Sequence, residues 1–107
     1  MISQLELIKT LEKNPKGFKV YFLETGKVNN DGYIFIDKVN DVSKYADGER
    51  KYTNTNINIS IYSNSNKSLQ EVTSYAKKLF RGSVIYGKEE GLYKAVLMTS
   101  VKVKEWQ

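Results

Sequence analysis

The groups that could do chemistry in this chain are carboxylates, amines, hydroxyls and phenols, because its 107 residues include no histidine and no cysteine. Without histidine the chain lacks the commonest general base, the usual activator of a nucleophilic Ser, and the imidazole metal ligand. Without cysteine it lacks thiolate ligands and any disulfide framework. The carboxylates fall in pairs, Asp37 with Asp41, Asp47 with Glu49, and Glu89 beside Glu90. Such pairs could exchange protons or hold a hard cation, but an oxygen-ligand site needs several converging donors, and no EF-hand spacing occurs. The first two pairs lie on or near a polar stretch and the third at a hairpin tip, where solvated charge is the expectation. Seven glycines are scattered through the chain, and none sits in a phosphate-binding pattern. The residues therefore predict no catalytic group, no cofactor and no metal, and a protein that is not an enzyme.

Phenols and amines suit binding better than catalysis. Tyrosine joins a large contact area to a polar tip and is enriched at protein interfaces. Of the eight tyrosines, Tyr45 and Tyr52 flank Asp47, Arg50 and Lys51, and these five residues form the candidate contact surface for an oligomer or partner. Lys, Asn, Ile and Tyr are raised together, a pattern that AT-rich coding sequence also produces. The net charge of +5 is uneven: residues 1–65 carry nine basic and eight acidic groups, residues 66–107 eight and four. Lys77, Lys78 and Arg81 on a helix, with Lys94, Lys102 and Lys104 on a strand, form a candidate basic patch for nucleic acid. Neither an RNP motif nor a helix-turn-helix pattern accompanies it. Trp106 is expected to pack over a sheet edge.

The elements that must position these groups are legible in outline. Ser3 and Glu6 match a capping box, and Leu5, Ile8 and Leu11 recur at helical spacing until Asn14-Pro15-Lys16-Gly17 stops the helix. Residues 18–23 and 33–36 read as strands, the second apolar on both faces and therefore internal to a sheet. Residues 40–50 read as a polar loop turning at Ala46-Asp47-Gly48. Ile57, Ile59 and Ile61 alternate with Asn56, Asn58, Ser60 and Tyr62, as in a strand with one wet face. A second helix opens on a capping box of Ser68 and Glu71, carries Leu69, Val72, Ala76, Leu79 and Phe80 on one stripe, and ends at Gly82. Residues 84–86 and 92–103 form a hairpin around 87–91. Ala95, Leu97 and Val101 face one way there, and Lys94 and Lys102 the other. The expectation is one domain over 1–107, of α+β class, in the order α-β-β-β-α-β-β. Its two helices pack on one face of a mainly antiparallel sheet. The N-terminus reads as neither a signal peptide nor a membrane span.

This layout resembles the tail-terminator or tail-completion (head–tail joining) proteins of long-tailed bacteriophages, especially those of Gram-positive hosts. The similarity runs through the short N-terminal helix, the aromatic strands within 18–36, the segment Tyr45 to Tyr52 and the alternating strand Ile57 to Ser63. The stretch Ser63-Asn64-Ser65-Asn66-Lys67-Ser68-Leu69, opening an amphipathic helix, carries it most clearly. The resemblance implies a virion structural protein assembled in the host cytoplasm and located at the head-proximal end of the tail. There it forms a homo-oligomer, commonly a hexameric ring, that ends polymerisation of the tail tube protein and meets the head connector. DNA passes through the lumen without sequence-specific binding, and no membrane is involved. Another head–tail connector or minor virion protein has the same layout, and a small basic nucleic-acid-binding module is the alternative from a different class.

Overall fold

The fold is that of a computed structural model, which describes the backbone of residues 3–23, 31–46 and 49–103 and the side chains of 3–23, 31–39 and 54–102. Seven elements follow in chain order: α1 (Gln4–Glu12), β1 (Lys19–Phe22), β2 (Gly32–Ala46), β3 (Glu49–Ser63), α2 (Asn66–Leu79), β4 (Gly82–Glu89) and β5 (Leu92–Val103). They build a five-stranded sheet in the order β1-β2-β3-β5-β4. β1 runs parallel to β2, and the remaining neighbours are antiparallel. The expected α+β class and element order are those of the structure. Because β4 and β3 both run antiparallel to β5, they are parallel to each other. The path β3-α2-β4 is thus a βαβ unit split by β5.

The two-residue period decides what the sheet buries. Ile36, Ile59 and Leu97 lie in register on β2, β3 and β5, as do Ile34, Ile61 and Ala95, and all six are fully buried. Leu7 and Leu11 of α1 and Leu69, Val72 and Ala76 of α2 close over this face and complete the core with Phe18 and Val20. Tyr75 Oη on α2 donates to the Thr10 carbonyl on α1 at 2.8 Å, tying the two helices together.

Several boundaries differ from the sequence expectation. In α1 the buried pair is Leu7 and Leu11, with Ile8 partly packed, while Leu5 is 57% exposed. An i, i+4 pair meets the sheet, and the Leu5 phase of the stripe points past it. Ser3 caps α1 as expected, accepting from Glu6 N–H at 3.1 Å. For α2 the cap is Ser65, whose Oγ accepts from Ser68 N–H at 3.4 Å, so Ser68 stands inside the helix. The helix ends on Phe80 in extended geometry, and Gly82 is the first residue of β4. A Cβ at Gly82 would lie 2.0 Å from the Met98 carbonyl oxygen, so close approach to β5 requires glycine there. Glu90 (φ 51°) and Gly91 (φ 81°) make a two-residue turn of the mirror-image type that suits the sheet's twist.

The largest correction concerns residues 40–50. Apart from Asp47 and Gly48, which lie outside the described residues, they are not a loop. β2 runs on to Ala46 and β3 starts at Glu49, paired through Asp41↔Thr55, Ser43↔Thr53, Lys44↔Tyr52, Tyr45↔Arg50 and Ala46↔Glu49. Register shifts interrupt the ladder between Lys38 and Asn40 and between Lys44 and Tyr45. β5 accompanies β3 only as far as Val103 opposite Thr53, so among the described residues the far end is a two-stranded ribbon. Fifteen residues at about 3.4 Å each give a strand of roughly 50 Å, which accounts for the 50 × 26 × 22 Å shape.

Candidate assembly surface

Among the described residues the helices cover one face of the sheet, and nothing covers the other. Three adjacent registers of side chains on this face form the candidate surface. The outermost brings together Tyr33 on β2, Tyr62 on β3 and Lys94 on β5, with Tyr21 on β1 beside Tyr33. The next contains Phe35, Ser60, Val96 and Ile85, and the third Asp37, Asn58, Met98 and Ser83. Ile85 is 59% exposed and Met98 37%. An apolar strip, interrupted at the buried Ser60, therefore crosses the middle of the sheet, bounded on one side by tyrosine and charge and on the other by asparagine and serine.

The tyrosine row is an ordered array. The Tyr33 and Tyr62 rings stack with centroids 4.7 Å apart and planes 16° from parallel, and Tyr21 meets Tyr33 edge-on at 6.1 Å. Lys94 Nζ lies 5.2 Å from the Tyr62 ring centre and 3.1 Å from Glu89 Oε2. Tyr62 Oη donates to the same carboxylate oxygen at 2.9 Å. Lys19 Nζ sits 5.8 Å from the Tyr21 ring. Cross-strand aromatic pairs of this kind add stability beyond area burial and hold the rings upright on the sheet.

The electrostatics follow from these contacts. Glu89 is held below the ordinary carboxylate value by the Lys94 ammonium and then by the Tyr62 hydroxyl. Lys94 is pushed above its ordinary value, first by the Tyr62 hydroxyl and also by Glu89. Partial burial raises Tyr33 and Tyr62 above the usual 10.0, and Glu89 adds to both. A phenol raised in the folded state contributes stability that is complete below its unfolded value and is lost as pH climbs through the folded one. Thermal stability should therefore fall as pH rises above about 10. In a phenolate absorbance titration Tyr62→Phe should remove a late-titrating component and leave the early ones in place.

The sequence-derived sites fare differently. Tyr45, Arg50, Lys51 and Tyr52 belong to the β2–β3 ribbon, where Tyr45 is the partner of Arg50 and Tyr52 of Lys44. Asp47, Lys104 and Trp106 lie outside the described residues. The proposed basic patch is divided: Lys77 and Lys78 are on α2, over the helix-covered face, whereas Lys94 and Lys102 alternate with the buried residues of β5 and so belong to the opposite face. Among the described residues no group of three acidic side chains converges as a metal site. No helix among them is long and apolar enough to cross a membrane. Two shallow depressions, of about 240 and 270 Å³, border the apolar strip, one between β4 and β5 and one along Val39, Asn58 and Met98. Sequence reading placed Tyr62 on the wet face but did not bring Tyr21, Tyr33 and Lys94 to it. Strand parity contained that signal, but the strand order did not follow from it. Comparison with models of known protein families and with curated proteins gave no match.

Proposed function

We propose that this chain is a virion structural subunit that assembles into a ring. The ring closes the head-proximal end of a phage tail tube, ends tube polymerisation and presents its other side to the head connector. The observation that carries the reading is the uncovered sheet face, with its apolar strip Phe35–Val96–Ile85 and ordered tyrosine row. An exposed apolar strip rimmed by polar groups is the kind of surface that marks a protein contact, and each subunit of a ring buries such patches on its neighbours. The β2–β3 ribbon supports the same reading, since a two-stranded ribbon is marginal alone and gains stability on a neighbour. Cyclic rings join two different patches of one subunit, and the ribbon and the open face are two such patches.

The tyrosine geometry weighs against nucleic acid as the partner of this face. Base stacking needs open ring faces, whereas Tyr33 and Tyr62 turn theirs to each other and Lys94 lies over Tyr62.

Electron microscopy of the purified protein mixed with tail tubes tests the proposal. Capped tube ends are expected, and tubes that stay bare and keep growing would sink it. Met98→Glu, which sets a charge beside the apolar strip, should lower capping at least about tenfold, whereas Lys77→Glu on the helix face should leave it intact. Arg50→Glu combined with Tyr52→Ala tests the ribbon in the same assay, and undiminished capping would remove it from the contact.

A further inference from the structure

Among the described residues β4 is an edge strand, with charge only at its Lys88-Glu89 end. Its residues Gly82–Glu89 contain no proline, and among the described residues they pair on one side only, with β5. Ile85 and Tyr86, on opposite faces of the strand, are 59% and 51% exposed. Such an edge is a template for another strand unless something occupies it.

The turn that follows β4 fixes which backbone groups are on offer. In a two-residue hairpin the flanking residues, here Glu89 and Leu92, exchange both N–H···O bonds. Counting back along the uninterrupted register, Gly87, Ile85 and Ser83 also bond to β5. Gly82, Val84, Tyr86 and Lys88 therefore aim their N–H and C=O groups at the free edge.

We infer that this edge pairs with β4 of a second copy, antiparallel about a two-fold axis that passes between the two Ile85 residues. In that register Val84 meets the second copy's Tyr86 and Gly82 its Lys88. All four outward-facing residues are then used, and the sheet continues from one copy into the other. The same register places Arg81 opposite Glu89, once on each side of the axis. Glu89 Oε2 is taken by Tyr62 and Lys94, which leaves Oε1 to accept from the incoming guanidinium. Sliding by two residues in either direction sets Arg81 against glycine, Gly87 or Gly91, and removes both ion pairs. Charge and backbone thus select one register, and the two Ile85 side chains, exposed in the single chain, cover each other.

This pairing closes on itself and makes a discrete dimer, unlike the heterologous contacts of a ring, and it takes only the Ile85 end of the apolar strip. Its test uses the absence of native cysteine. Residues facing each other on the axis as a non-hydrogen-bonded pair stand about 4.5 Å apart at Cα, within reach of a disulfide. Ile85→Cys should oxidise to a covalent dimer at least about tenfold faster than Ser83→Cys, whose mate across the axis is Gly87 rather than itself. Sedimentation should show a dimer for the unmodified protein. Tyr86→Pro removes an outward N–H without touching the β5 ladder, and should weaken self-association at least about tenfold. A monomer at every concentration overturns the pairing, and equal cross-linking of the two cysteine variants overturns the register. A protein that caps tubes yet shows no dimer would refute the pairing and leave the ring reading standing.

Discussion

Ile59→Ala should cost about 3–4 kcal/mol and lower the melting temperature by roughly 15 °C. Ile59 is fully buried at the centre of the sheet, in register with Ile36 on β2 and Leu97 on β5, both also fully buried. Three large side chains thus meet in one line across the three longest strands, with α2 packed above them. Truncating the middle one removes three methyl-sized groups and leaves a void that its neighbours cannot close, since each is fixed by its own strand. A domain of this size has about 5–15 kcal/mol of net stability, so the loss is a large share of the whole. Ile59→Val, which removes one methylene, should cost only about 1 kcal/mol. Chemical denaturation of the three proteins measures the series. A midpoint for the alanine variant within error of the valine variant would mean the row collapses freely and is not the packing centre.

The same row shows why much of the fold was legible in the sequence. Ile57, Ile59 and Ile61 alternate with polar residues because one sheet face is dry, and that alternation is written into the chain. β2 reads as internal because Ile34 and Ile36 enter the core while Tyr33 and Phe35 enter the aromatic and apolar registers of the other face. Where the sequence carries no alternation, the signal vanishes. Residues 40–46 and 49–52 pair through backbone groups that every residue possesses, and their polar side chains show no period. A polar ribbon and a polar loop are therefore indistinguishable by composition. The two helices show a related limit. Leu5-Ile8-Leu11 and Leu7-Leu11 are both helical stripes, and the position of the sheet, not the sequence of α1, selects the second. Ser65 and Ser68 stand three residues apart in one polar run, and the structure puts the cap on Ser65. The assembly surface depended on what periodicity carries least, the strand order. Tyr21, Tyr33 and Tyr62 come from three strands, and only the β1-β2-β3 order makes them neighbours.

Asn14→Ala should cost about 3 kcal/mol, although sequence patterning gives the residue no role beyond preceding Pro15. Its side chain is buried and fully engaged where α1 turns into β1. Nδ2 donates to the carbonyls of Leu11 at 2.8 Å and Phe18 at 2.9 Å, while Oδ1 accepts from the backbone N–H groups of Phe18 at 2.9 Å and Lys16 at 3.2 Å. One amide thus stands in for the peptide partners that the end of a helix and the start of a strand both lack. Alanine takes this partner from the Phe18 N–H and C=O and the Lys16 N–H, while the Leu11 carbonyl still accepts from the Asn14 N–H at 3.2 Å, and each orphan costs about 1–3 kcal/mol before relaxation or water entry recovers part of it. Asn14→Asp separates hydrogen bonding from volume, because it keeps the shape and the acceptor but turns a carboxylate oxygen toward two carbonyls. Burial and that repulsion raise the new carboxyl above its ordinary value in the folded state. Protonation then favours folding, and the deficit of Asn14→Asp should shrink as pH falls through the raised value toward the ordinary one. The deficit of Asn14→Ala has no ionising group behind it and should keep its size over the same range. Parallel denaturation curves for the two variants at each pH would show that the amide merely fills space, and would remove it from the junction between α1 and the sheet.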